Sequence, residues 1–464
     1  MHVPRNPVRI SLVLALLLLA AFLPLVASGY VELERASSAS SYLGAAERYQ
    51  RAAQRLPWRV DLYELSGHAY YHAKEYAQAD AAYHKAFRAG VLSAEGWMAW
   101  GDVNYLREDP QRAAEIWEQA LAQPDVSDEL YARLAGMYES DGDFSRAAEY
   151  LQKYVSTHSE DAARRYRLGL LLTLSNPDRA LTELLGAAQL DTGLDPAVQT
   201  LRTTLNIAAL EDSASSRAVI IGRGLGLVSE WSLARASFEE AVRQDETNAT
   251  AWAWLGEANQ HVDLPEAGRA ELDRALSLDP SSATVRGLRG LYFQRTGNFR
   301  EALSEFQFAA RLEPDNPAWS VSIGESHAKL GDLIRALEAY QNATILAPEN
   351  AGYWRLLAIF CGQNSVNVTD VGLPAAQRAV ILAGQDAAPL DVLGWLLTLE
   401  RRYEEAGRML TRAVELDQQN ASAHLHLGML YMQTNERMLA YDHLLRARDL
   451  GSKEAEMILN QYFP

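Results

Sequence analysis

A motif that returns about every 34 residues constrains this chain more than any other feature of its sequence. Its clearest copy occupies residues 283–316, where small, aromatic and proline residues fall at fixed offsets: Gly290, Gly297, Phe299, Ala302, Phe306, Ala309 and Pro314. Small residues at two of these offsets allow two helices to cross closely, while the phenylalanine fills the space beside them and the proline ends the second helix. One such hairpin cannot bury its apolar face alone. The motif therefore predicts an all-α stack of helix hairpins, an α-solenoid.

The same offsets recur along most of the chain. Registered copies begin near residues 60, 94, 128, 162, 215, 249, 283, 317, 351, 387 and 421. Their pattern resembles the tetratricopeptide repeat, whose signature of small, aromatic and proline positions is matched most fully by the copies at 249 and 283. The resemblance implies a right-handed superhelix of about eleven helix hairpins, with a concave groove lined by the first helix of each hairpin. It also implies a protein-binding role, although the motif residues themselves specify no ligand.

Departures from the register predict the domain organisation. The stretch from Asp195 to Leu210 has the pattern of one additional helix, and the loop from Gly362 to Leu373 is longer than the usual turn. We predict six segments: a membrane anchor or signal peptide at 1–30, a linker and capping helix at 31–59, repeats at 60–192, an extra helix or irregular junction at 193–214, repeats at 215–450 and a capping helix at 451–464.

The N-terminus predicts a membrane-related segment. Arg5 and Arg9 precede an apolar run over residues 10–27, and no charge follows before Glu32. The length of the run favours an uncleaved transmembrane anchor, whereas the small residues at 27–29 are typical of a signal-peptide cleavage region. In both cases the repeats lie outside the cytoplasm, either anchored to the membrane or exported.

Charge and composition argue against several function classes. The formal net charge is −17, from 43 basic and 60 acidic residues without a long block of one sign, which disfavours nucleic acid as a partner. The single cysteine, Cys361, has apolar neighbours and is predicted to be a buried small hydrophobe. His68 and His72 lie one helical turn apart, but no third ligand is evident. We therefore expect no metal, no cofactor and no catalytic residues, so the protein is predicted not to be an enzyme.

The resemblance also indicates which side chains line the groove. Polar and aromatic residues at the groove positions of the first helices are the predicted partner-binding residues: His68, Tyr71, His72, Asp102, Tyr105, Glu257, His261, Arg295, Glu325, Lys329, Arg355 and Trp395. They suggest a non-catalytic scaffold or adaptor that binds a protein partner outside the cytoplasm. An accessory subunit for polysaccharide or glycan assembly and export is the alternative, because aromatic residues in the groove could stack on sugars.

The predicted topology has a direct test. Since basic residues precede the apolar run and acidic residues follow it, a reporter that folds only outside the cytoplasm should be active when fused after Pro464. The same fusion without residues 1–30 is the control and should be inactive. Activity of a cytoplasmic reporter alone would contradict the topology.

Overall fold

The computed structural model describes residues 7–123 and 127–463, and these residues form helices joined by short turns, with no strand among them. Backbone contacts divide the chain into two compact units. Unit 1 comprises Met1–Leu210 and Leu227–Leu233, and unit 2 comprises Glu211–Gly226 and Ala234–Pro464.

Unit 1 is a row of helices in which each packs against the next. Its helices are α1 (Pro7–Ser37), α2 (Tyr42–Arg55), α3 (Asp61–His72), α4 (Tyr76–Arg88), α5 (Ala94–Leu106), α6 (Pro110–Ala120), α7 (Glu129–Ser140), α8 (Phe144–Thr157), α9 (Ala162–Leu172), α10 (Pro177–Leu190) and α11 (Asp195–Ala209). Helix α11 follows a short 3₁₀ turn and has no second helix of its own within unit 1.

Unit 2 repeats the same arrangement. The helices that lie mostly or wholly in it are α12 (Ala214–Leu227), α13 (Trp231–Gln244), α14 (Ala249–His261), α15 (Pro265–Leu278), α16 (Ala283–Arg295), α17 (Phe299–Leu312), α18 (Pro317–Lys329), α19 (Leu333–Leu346), α20 (Ala351–Asn364), α21 (Leu373–Ala383), α22 (Ala387–Leu399), α23 (Tyr403–Leu416), α24 (Ala421–Gln433), α25 (Arg437–Asp449) and α26 (Lys453–Tyr462). The described helices contain eleven pairs at the predicted copies, from α3–α4 to α24–α25, with the unpaired α11 between the fourth and fifth pairs. The predicted all-α fold of stacked hairpins is confirmed.

The two helices of a hairpin cross where a small residue faces a large one. A Cβ atom at Gly290 would lie 2.5 Å from Cε1 of Phe306, and the Phe306 side chain is fully buried. The same relation joins Gly222 to Phe238 and recurs in other hairpins. Since no larger residue fits at the crossing, the glycine sets the distance between the helices and the large residue fills the remaining space.

The turns and helix caps of the hairpins depend on residues that are close in sequence. Gly297 adopts a φ of 78°, which glycine tolerates at no steric cost, and it ends the first helix of its hairpin. Several first helices begin with side-chain caps: Asn248 accepts from the backbone N–H of Ala251, and Ser282 accepts from that of Val285.

The ninth hairpin is irregular. A π-helix at Val368–Gly372 precedes α21 and packs on α20, where a Cβ at Gly372 would lie 2.9 Å from the Cβ of Cys361. Cys361 is fully buried, and burial raises the pKa of its thiol to about 11. The prediction that this cysteine acts as a small buried hydrophobe is confirmed.

Helix α1 runs without interruption from Pro7 to Ser37, so it includes residues 31–37, which the sequence assigned to a linker. Its second half packs against α2, with Leu33 beside the buried Leu56. Half of the side chains in the predicted membrane segment at 10–27 lie outside the described residues. Among the described residues, no helix combines the length and apolar character needed to cross a membrane. The anchor or signal peptide stays a prediction.

The hairpin crossing predicts opposite effects for two glycine substitutions in unit 2. A Cβ at Gly256 would lie 2.7 Å from the carbonyl oxygen of Gly268, whereas a Cβ at Gly407 would make ordinary contact with Leu430 at 3.6 Å. Gly256→Ala should therefore destabilise the fold by about 1–3 kcal/mol. Gly407→Ala should stabilise it by up to about 1 kcal/mol, because alanine favours helix.

Thermal denaturation followed by circular dichroism measures both variants, and hydrogen exchange in α14 and α15 locates the effect. Equal shifts of the midpoint in the same direction would contradict the close crossing.

Candidate functional site

The first helices of consecutive hairpins form one surface in each unit, which we call the first-helix face. It comprises α3, α5, α7 and α9 in unit 1 and α12, α14, α16, α18, α20, α22 and α24 in unit 2. Some neighbouring first helices touch directly: α3 touches α5, α14 touches α16, and α22 touches both α20 and α24. Side chains on this face can therefore contact one another across repeats as well as a ligand.

In unit 1, polar residues on the face pair between repeats. Asp102 on α5 accepts two hydrogen bonds from the guanidinium of Arg133 on α7, at 2.8 and 3.3 Å. Glu139 on α7 pairs in the same way with Arg167 on α9. The predicted binding residue Asp102 is thus also a link between hairpins.

The predicted aromatic and histidine residues of unit 1 divide between the hairpin interior and the surface. The Nδ1 atom of His68 lies 3.0 Å from the hydroxyl of Tyr83, so this histidine faces its own hairpin. His72 is exposed beside the ring of Tyr42, at 5.0 Å between centroids. Tyr71 is half-buried next to His72, and Tyr105 is exposed.

An open cleft of about 550 Å³ lies where α2 meets α3. Tyr42, Tyr49, His68 and His72 line it. The structure thus brings two predicted binding residues, His68 and His72, to one concave site at the front of unit 1. Among the described residues, no group of three or more histidine, cysteine or acidic side chains is placed to hold a metal.

In unit 2, the predicted residues of α14 and α16 are bound to one another. Glu257 is only 4% exposed, and it pairs with the guanidinium of Arg295 and with Nε2 of His261 at 3.2 Å. A buried carboxylate requires such partners, because its desolvation is otherwise costly. Glu257 therefore joins two repeats and is not a freely exposed groove residue.

The predicted residues on α18 and α20 are more accessible. Glu325 is half-buried and accepts a hydrogen bond from the side chain of Gln294 at 2.8 Å. Lys329 is exposed, and Arg355 is half-buried.

The last two first helices hold a polar cluster around a buried carboxylate. Asp391 on α22 is 4% exposed and accepts hydrogen bonds from the hydroxyl of Ser422 at 2.7 Å and from Nδ1 of His426 at 2.6 Å. Because Nδ1 donates to the carboxylate, Nε2 of a neutral His426 is an acceptor. The indole of Trp395 stacks on this imidazole, with 5.3 Å between centroids and 9° between planes.

We name this arrangement of Asp391, Trp395, Ser422 and His426 the C-terminal cluster. It is rigid for two reasons: the carboxylate fixes the imidazole, and the indole rests against α20, where a Cβ at Gly362 would lie 2.7 Å from its ring. Sequence analysis found Trp395 but missed the other members. The available signal was Asp391 itself, the only charge in the otherwise apolar helix α22, since a lone carboxylate there must find partners.

A histidine pair lies between the two helices of the last hairpin. The Nδ1 atoms of His424 and His443 are 3.0 Å apart, and Tyr431 stacks on His443. Burial lowers the pKa of both imidazoles, and the nearby His424 lowers that of His443 further.

Comparison with known proteins supports the family resemblance. The model of the tetratricopeptide repeat family matches residues 228–283 and 288–351, which include the whole of α13 to α15 and of α17 to α19. A comparison with curated protein sequences found no match.

Several solved structures are similar to this chain at low sequence identity. The APC/C hetero-tetramer Cut9-Hcn1 is 16% identical, with 90% of this chain and 93% of that chain covered and a TM-score of 0.45. Yeast Tom70 is 15% identical, with coverage of 96% and 95% and a TM-score of 0.43. A tetratricopeptide repeat protein from Parabacteroides merdae is 13% identical, with coverage of 54% and 99% and a TM-score of 0.44.

The histidine pair predicts a pH dependence of stability. Because the pKa values of His424 and His443 are lowered on folding, the unfolded chain binds more protons below its ordinary histidine pKa of about 6.5. The associated stability is therefore present above that pH and lost as the pH falls. The protection factors of amides in α24 and α25, which are their exchange rates corrected for the intrinsic effect of pH, should be lower at pH 5 than at pH 7.5.

His443→Phe keeps a ring beside Tyr431 and should reduce this pH difference, whereas His72→Phe, at an exposed histidine, should leave it unchanged. An undiminished difference in His443→Phe would exclude the pair as its source.

Proposed function

We propose that this chain, whose repeats are of the tetratricopeptide type, is a non-catalytic scaffold that binds a segment of a protein partner on its first-helix face. The principal contact is the C-terminal cluster of unit 2. Helical repeats of this kind offer extended surfaces for protein segments, and binding by shape and a few polar contacts needs no chemical step.

The C-terminal cluster is the observation that carries the proposal. Trp395 and His426 are both partly exposed, their rings stack on each other, and Asp391 holds the imidazole through Nδ1. Partly exposed aromatic residues in a rigid setting are the side chains that contribute most to protein interfaces. A preorganised platform also reduces the entropy lost on binding.

The geometry of the cluster supports binding over catalysis. An aspartate that orients a histidine occurs in hydrolytic triads, but there the hydroxyl nucleophile bonds to the histidine. In this chain the hydroxyl of Ser422 donates to Asp391 instead. The cluster thus has a positioned imidazole without a nucleophile in contact with it.

The glycan alternative has weaker support. The rings proposed to stack on sugars contact other rings of the chain: Tyr71 lies against His72, Tyr105 lies near Trp117, and Trp395 stacks on His426. The stacked imidazole occupies one face of the Trp395 indole, and the tilted neighbours of Tyr71 and Tyr105 restrict the space beside those rings, which leaves less surface for a sugar.

We place the repeats outside the cytoplasm, held by residues 10–27 as a membrane anchor. The continuity of α1 favours the anchor over a cleaved signal. Gly29, the last of the small residues at the predicted cleavage region, is buried against Leu56. Cleavage there would cut a helix at the point where it enters the fold.

Photo-crosslinking tests the proposed face. A benzoylphenylalanine at Trp395 should give a discrete protein adduct in membranes of the native host. The same residue at Tyr441, an exposed aromatic position on the second helix α25, is the matched control and should give none. An adduct that shifts only on glycosidase treatment would support the glycan alternative.

The affinity for the captured partner then tests the cluster. Trp395→Ala and His426→Ala should each weaken binding at least about tenfold, or roughly 1.4 kcal/mol, whereas Tyr441→Ala should not. Unchanged affinity in both cluster variants, with folding intact by circular dichroism, would contradict the proposal.

A further inference from the structure

Helix α1 extends beyond the helix on which it packs. Its C-terminal half lies on α2, where a Cβ at Gly29 would be 2.6 Å from Cγ of Leu56. Towards the N-terminus this support ends, and every described side chain between Leu16 and Leu25 is exposed, including Phe22 at 54%. The N-terminal half of α1 therefore extends past α2, and its described side chains are exposed.

The turn between α2 and α3 lies at the level where α1 leaves the unit. On the near side of this turn, at the end of α2, the guanidinium of Arg55 donates a hydrogen bond to the backbone oxygen of Ser28 at 3.5 Å. Arg59, on the far side of the turn, has a raised pKa, mainly because of its hydrogen bond to Asp61 and more weakly because of the phenol of Tyr30. The turn thus borders residues 28–30 of α1.

Two exposed aromatic side chains lie near the point where α1 separates from α2. Trp58 stands in the turn between these two contacts and is 50% exposed, and Tyr30 on α1 is 46% exposed. Tryptophan and tyrosine are enriched where membrane proteins cross the boundary between hydrocarbon and water, because their rings are apolar with one polar group.

We propose that the turn between α2 and α3 is a second membrane contact of unit 1, with Trp58 and Tyr30 among the lipid headgroups. This inference rests on the proposed membrane anchor. The apolar run at 10–27 is about 27 Å long as a helix, which approaches the thickness of about 30 Å of a hydrocarbon core. Tyr30 follows about 4.5 Å beyond its end, within the headgroup layer.

Charges near the turn indicate which lipid surface fits. Glu32 pairs with Arg51 at 3.4 Å and with Arg55 at 3.5 Å, Glu47 pairs with Arg51 at 3.7 Å, and Arg59 pairs with Asp61 at 2.7 Å. Because the charges around the turn are paired, the contact depends on the aromatic rings. Zwitterionic phosphatidylcholine should therefore be sufficient, without anionic lipid.

Spin labels on the full-length chain test the contact. In a Cys361→Ala background, a nitroxide is attached at Trp58→Cys or at Tyr42→Cys, and the protein is reconstituted into phosphatidylcholine vesicles. Tyr42 is the matched control because it is 61% exposed and begins α2, about 20 Å from its other end. Collisions with oxygen report lipid, and collisions with a water-soluble nickel chelate report water.

The label at position 58 should show a ratio of oxygen to nickel collisions at least threefold above that at position 42. If the protein floats with the vesicles but both labels show the same aqueous ratio, the turn does not touch the membrane, and the anchor still stands. If the protein does not float, the anchor fails and the inference with it. If the labels at position 58 of two copies broaden each other's spectra while both show the aqueous collision ratio, a second copy of the chain covers α1. That result would overturn the inference.

Discussion

The close crossing of two helices at a small residue is the interaction on which the rest of this structure depends. At Gly290 and Phe306, as at Gly222 and Phe238, an added Cβ would overlap an aromatic ring that is fully buried. The crossing fixes which side of the first helix faces its own hairpin. It thereby also fixes which side remains for neighbouring repeats and for a ligand.

On the side of the first helix that faces away from its own hairpin, a polar residue can either pair with the neighbouring repeat or contact a partner. Asp102 pairs with Arg133, and Glu257 pairs with Arg295, each across the boundary between consecutive repeats. A pair with exposed partners contributes little stability, whereas a buried carboxylate such as Glu257 is costly to leave unpaired. Residues engaged in this way hold repeats in register, so fewer of them are free to contact a partner. The C-terminal cluster differs because its aromatic rings retain exposed surface while Asp391 supplies the rigidity.

Close packing at a small residue is also found at the N-terminal end of unit 1. Helix α1 has no hairpin motif, yet Gly29 meets Leu56 with the geometry that small residues have inside the repeats. The apolar character of α1 therefore has two uses along one helix: its second half closes the end of unit 1, and its first half is left without cover among the described residues.

The sequence by itself determined the fold of this protein. Small and large residues at regular offsets, such as Gly290 and Phe306, act within one hairpin, so a local pattern suffices to predict both helices and their crossing. It also predicted the burial of Cys361, which follows from apolar neighbours on a helix. Of the candidate site, the sequence identified positions on the first helices but not what each side chain does there.

Only the tertiary structure decided those roles. Whether Glu257 is exposed or buried depends on Arg295, in the next repeat along the chain, and the link from Asp391 to His426 likewise joins separate hairpins. Such pairs depend on the distance and rotation between neighbouring hairpins, which no single repeat encodes, because the motif specifies packing within the hairpin and leaves the facing polar positions variable.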